Sequence, residues 1–161
     1  MRAAVAVLDE VLDGLVDAPA WPLGEAELVA SLDAVHAVEQ RLLAVKLALV
    51  REVDGRGVAT AQGASSTAVW LRDRLRLSGH GARELVRVAA ALDAGPPVVR
   101  AAVVSGAVTV EQGEAIVAAV RALPVEAGPE VADKAVKVLL DAAGGSSRRC
   151  YGGSASGSSP T

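Results

Sequence analysis

An all-α helical bundle is the fold this sequence predicts, on three observations. Apolar residues recur every three to four positions along most of the chain, and clusters of glycine and proline cut that pattern into helix-sized pieces. Side chains able to cap a helix stand where those pieces begin. Together they predict a bundle of about six or seven helices from residue 2 to 143, followed by a flexible tail over 144–161.

The first helix spans residues 2–17, where Val5, Leu8, Leu12 and Leu15 form one stripe bordered by Asp9, Asp13 and Asp17. Pro19 and Pro22 stop it and bracket Trp21, which is expected to be a packing anchor. From Glu25 to Val53 there is no Pro or Gly, so one long helix is the simplest reading and would be the spine of the domain. Leu28, Val35, Leu42 and Leu49 keep a seven-residue line, but Glu39 and Lys46 interrupt the second line of a coiled-coil seam. The broad apolar face instead favours burial within the bundle, with a partner-binding coiled coil as the alternative.

Gly55 and Gly57 end the spine, and a helix-turn-helix-like pair follows. Ser65 or Ser66 caps a short helix carrying Trp70, Leu71, Leu75 and Leu77. Ser78 caps the next, and Gly79 and Gly81 flank His80 at the turn. Ala82, Leu85, Val86, Val88, Ala89 and Leu92 give the second helix its inward stripe. Pro96 and Pro97 open a short helix to about Val104, Ser105 and Gly106 close it, and Thr109 with Gln112 forms a capping box for a helix from Val110 to Leu123. Setting Leu77-Ser78 over Val108-Thr109 reveals a weak internal repeat, with Ala82 on Gly113, Leu85 on Ile116 and Val86 on Val117. A last helix, Glu130 to Ala142, should turn Val131, Ala135, Val138 and Leu139 inward. The Gly/Ser-rich stretch from Gly144 has little to bury, is expected to be disordered, and reads as a truncated or frame-shifted end.

The core must be built from Ala, Val and Leu, because there is no Phe, one Ile, one Tyr and two Trp, which favours closely approached helices. A single cysteine, Cys150, permits no intramolecular disulfide, and a reducing cytoplasm is the default setting. No apolar run is long enough to span a membrane, so no membrane partner is expected. The net charge of −3 conceals a gradient: residues 1–62 carry −5, residues 63–100 carry +3 and residues 101–161 carry −1.

The run GASSTAVWLRDRLRLSGHGARELVRVAAAL, followed by VVSGAVTVEQGEAIVAAVRALP, resembles the domain-of-unknown-function 222 family, the 13E12-repeat family. The similarity covers roughly Leu28 to Ala143. The resemblance implies a helical domain found N-terminal to an HNH-type nuclease domain, and it implies no settled activity for the helical part itself.

An HNH centre needs metal-holding histidines and an Asn or a similar residue, and this chain has two separated histidines, His36 and His80, and no Asn. His36 reads as a structural helix residue and His80 as part of a turn. Cys150 lies in the tail, the serines serve as caps or low-complexity residues, and no phosphate-binding glycine loop is present. No catalytic residue, metal site or cofactor is therefore expected, and the chain reads as a non-enzyme. The one functional constellation is Arg72, Arg76, Arg83 and Arg87, two pairs each one helical turn apart, which can hold phosphates through guanidinium hydrogen bonds. Two functions follow: an accessory domain contacting DNA through these arginines, or a protein-interaction or dimerisation module on the helix 25–53.

Overall fold

The computed structural model describes residues 1–151, which form eight α-helices and one 3-10 turn and, among the described residues, no strand. The all-α expectation is met. The chain divides into two units, residues 1–36 and the residues from 37 onward.

In the first unit, α1 (Arg2–Val16) ends before Pro19, and a turn around Trp21 leads into α2 (Glu25–Gly55). No residue of 1–36 is buried; Val5, Leu12 and Leu15 of the expected α1 stripe are exposed and Leu8 is half-buried. Trp21 is 87% exposed, so it does not anchor packing: the two prolines hold it in a turn with no core beside it. The acidic side chains Glu25 and Glu27 lie in the first turn of α2, where the helix dipole favours them.

The second unit contains α3 (Val58–Ala61), α4 (Thr67–Leu75), α5 (Gly79–Asp93), α6 (Pro97–Ser105), α7 (Val110–Arg121) and α8 (Gly128–Tyr151), with the 3-10 turn over Val125–Ala127. The short α3 was not anticipated; it starts after Gly57, whose φ of 62° suits glycine. The core is contributed by α2 (Ala44, Leu47, Val50), α4 (Leu71), α5 (Ala82, Val88, Ala89, Leu92), α6 (Val99, Val103), α7 (Ile116, Val117) and α8 (Val136). It holds no aromatic residue and is the Ala, Val and Leu core that composition required, with Ile116 its one addition.

Caps fix the registers. Ser78 Oγ accepts from Gly81 N–H at 3.0 Å, and Thr109 Oγ1 accepts from Gln112 N–H at 3.1 Å while Gln112 Oε1 takes the N–H of Thr109 at 2.9 Å. Gly81 and Gln112 are the residues that the sequence repeat superimposes, and the next aligned pair, Ala82 and Gly113, is buried on both helices. The repeat therefore marks two helices started and buried in the same register.

The last helix departs from expectation in two ways. Its inward stripe is Val136, Leu139, Leu140 and Ala143, whereas Val131 and Val138 are exposed. Those four positions have the i, i+3, i+4, i+7 spacing of a buried face, which a choice centred on Val131 misses by a partial turn. The helix also continues to Tyr151, covering 144–151 of the stretch read as a disordered tail. Leu140 and Ala143 dock on the core just before Gly144, so the helix is already nucleated where it enters this stretch. The remainder of the expected tail, 152–161, lies outside the described residues.

Gly113 is buried in α7 where it faces α6. A β-carbon there would overlap Cγ2 of Val103 and come within 3.4 Å of Leu92. Gly113→Ala should cost about 1–3 kcal/mol in urea unfolding, as overpacking does. Combined with Val103→Ala, which removes the obstructing methyl, the loss should be less than the sum of the two single losses, whereas additive losses would count against this contact.

Candidate nucleic-acid interface

Polar links orient the α4–α5 pair against its neighbours. Thr67, buried at the start of α4, donates its hydroxyl to Asp54 Oδ1 of α2 at 2.6 Å. Asp54 also takes Arg51 at 3.2 Å, and Arg51 Nε donates to Asp93 of α5 at 2.8 Å. Arg100 of α6 donates to the other oxygen of Asp93 at 2.9 Å. The hydrogen bond from Arg51, with the charges of Arg51 and Arg100, holds the Asp93 carboxyl below the usual carboxylate range.

Within the pair, Ser66 is the cap chosen between the two candidate serines: its Oγ accepts from Val69 N–H at 3.2 Å. Trp70 is half-buried and donates its indole N–H to Gln62 at 2.9 Å. Leu75, expected to point inward, is exposed at the last position of α4.

The four arginines singled out from sequence separate into two kinds. Arg72 Nε donates to its neighbour Asp73 at 2.7 Å. Arg87 Nε donates to Glu84 at 2.9 Å, and a second nitrogen pairs with Glu114, which ties α5 to α7. These partners hold Arg72 and Arg87 above the ordinary arginine value, and Asp73 and Glu84 below the ordinary carboxylate value. Arg76 and Arg83 form no ion pair among the described residues. The Arg83 guanidinium lies over the start of α5, with Nη1 3.5 Å from where a β-carbon of residue 79 would stand, an ordinary contact distance.

Arg76 is also not on the face of α4, where sequence spacing placed it. The helix stops at Leu75, and Arg76 is its C-cap in the left-handed conformation, φ 53° and ψ 40°. Its N–H and that of Leu77 both bond to the carbonyl of Arg72, closing the reversed turn that brings the chain to the Ser78 cap. Among the described residues it is the one non-glycine residue with positive φ. Sequence reasoning missed Arg74, whose guanidinium lies 5.0 Å over the Trp70 ring and makes no ion pair among the described residues. The signal for it was present: Trp70 and Arg74 are one turn apart, and no acid stands a turn away on either side of Arg74.

All three acids of 63–100 are engaged, Asp73 by Arg72, Glu84 by Arg87, and Asp93 by Arg51 and Arg100. The +3 of this stretch therefore resides on Arg74, Arg76 and Arg83, all exposed around one turn.

A family model described as Domain of unknown function (DUF222) matches residues 29–150. The chain belongs to this family. The match begins inside α2 and runs through nearly all of α8, beyond the Ala143 limit of the resemblance seen in sequence, so α1 lies outside the matched DUF222 region. No curated protein and no solved structure matches the chain. Within the described residues of this DUF222 chain, no three His, Cys, Asp or Glu side chains are grouped to hold a metal, and no helix is long and apolar enough to cross a membrane.

The two kinds of arginine should respond oppositely to substitution. Arg76→Gly removes the side chain that the left-handed conformation disfavours and should raise stability to urea by up to ~1 kcal/mol. Arg87→Ala should lower it, because Glu84 and Glu114 would lose their shared cation. Equal destabilisation by both would contradict this division.

Proposed function

We propose that the chain is a non-catalytic accessory domain that lies on a nucleic-acid backbone through Arg74, Arg76 and Arg83, in a cytoplasmic setting. Arg72 and Arg87 are already engaged by carboxylates, and Arg87 links α5 to α7. Following the family resemblance, the nuclease chemistry it would assist belongs to an HNH-type domain. The observation that carries this reading is Arg76: a cation held in a strained conformation at the tip of a helix pair, where glycine would be easier, with no carboxylate to satisfy it. Arg74, stacked on Trp70, and Arg83, at the start of the second turn of α5, supply charges on either side of the reversal at Arg76. Such contacts act by counterion release and carry no base sequence.

Fluorescence anisotropy of a labelled duplex tests the reading. Three phosphate contacts give a log K versus log salt slope of about −2.7, so affinity should fall about fortyfold between about 50 and about 200 mM salt. The variant Arg74→Ala/Arg76→Gly/Arg83→Ala should lose the binding and Arg87→Ala should keep the slope. No binding at the lower salt, or an unchanged slope in the triple variant, would contradict it.

A second reading, a protein-interaction module on the long helix, is favoured by a separate observation. Val38, Leu42, Val45 and Leu49 of α2 are 45%, 40%, 43% and 44% exposed, although the same helix buries Ala44, Leu47 and Val50.

A further inference from the structure

Helix α2 has two apolar lines within the second unit. Ala44, Leu47 and Val50 enter the core, and Val38, Leu42, Val45 and Leu49 stay outside it. At 100° per residue the centres of these lines are roughly 170° apart. The outer line has spacings of four, three and four residues, the alternation of a helix-on-helix seam. Its second strand is therefore Val38 and Val45, and Glu39 and Lys46 flank the seam instead of interrupting it. The residues one turn from Lys46 are Leu42, Leu43, Leu49 and Val50, so its own helix offers it no carboxylate.

Resting on the interaction reading above, we infer that the occupant of this seam is a second copy of the chain, paired antiparallel so that Leu42 of each copy opposes Val45 of the other. Val38 then opposes Leu49, giving four apolar layers about a two-fold axis. In that register Glu39 lies beside Lys46 of the second copy, twice per dimer, and Arg41 lies beside Ala48. Sliding the pair by one heptad would set Glu39 against Glu39 and Arg41 against Arg41 in one direction, and Lys46 against Lys46 in the other. Parallel pairing would set Arg41 against Lys46. Charge thus selects the first of these four arrangements. An anionic membrane surface does not suit the same face, because its flanking charges, Glu39, Arg41 and Lys46, are of mixed sign and form no basic cluster.

Four layers cover about 17 Å of helix at 1.5 Å per residue. A contact of that length falls below the roughly 1,200 Å² of a stable interface, so the pairing is a concentration-dependent exchange between monomer and dimer.

Sedimentation equilibrium of the full chain from about 10 μM to about 1 mM, with a reductant present for Cys150, reads this exchange. The wild type should dimerise across the range. Leu42→Lys should abolish dimerisation, and Lys46→Glu should weaken it about tenfold. Glu39→Lys with Lys46→Glu, which exchanges the two charges, should restore it. A monomer throughout, or a charge exchange that restores nothing, overturns the proposal. A photocrosslinker at position 45 in producing cells separates this outcome from the broader reading. An adduct of twice the chain mass supports the second copy. An adduct to a different protein overturns this proposal and retains the interaction reading, and no adduct removes both.

Discussion

A β-carbon on residue 113 would collide with the Val103 side chain, and that close approach fixes how α7 lies on α6. A second approach of the same kind occurs at Gly95, where a β-carbon would stand 2.5 Å from Val117 Cγ2. Both follow from composition. Without Phe, a core of Val, Ala and Leu can reach native packing density only if the backbones draw together. With α7 set in this way, Glu114 is within reach of Arg87 on α5, and the ion pair removes that arginine from the free charge of the helix pair. The electrostatics of the surface thus depend on a glycine in the interior.

The chain of links from Arg100 through Asp93, Arg51 and Asp54 to Thr67 has a different role. It touches α6, α5, α2 and α4 in turn, yet its charged members are each more than a third exposed. Pairs of that kind add little stability in water, so the apolar layers hold the helices and these bonds orient them.

The parts of the fold governed by local chemistry were legible in the sequence. The cap residues Ser78 and Thr109 start their helices where their side chains can bond the third N–H, and the proline-free run from Glu25 forms one helix that ends at Gly55. Properties set by distant residues were not legible. Glu114 is 27 positions from Arg87 and Asp54 is 13 from Thr67, and no periodicity announces either pairing. The exposure of Trp21 and the rotation of α8 toward Val136 belong to the same class, because an apolar residue carries no mark of which neighbour will cover it. Arg76 is an intermediate case. Its four-residue spacing from Arg72 reads as helical, but the chain reverses before the Ser78 cap two positions later, and Arg76 makes that reversal in the left-handed conformation. The +3 charge of 63–100 was readable as a sum, and its location on Arg74, Arg76 and Arg83 required knowing where every acid is spent.

The central claim is that the arginines not used by the fold are the ones that meet phosphate. It is tested most directly by the side-chain Nε–Hε signals of the arginines in NMR spectra recorded while a short duplex is added. The account predicts that Arg74, Arg76 and Arg83 shift and saturate together, while Arg51, Arg72 and Arg87, whose Nε already donates to a carboxylate, stay in place. Shifts confined to the second group, or no shift in any arginine, would contradict it.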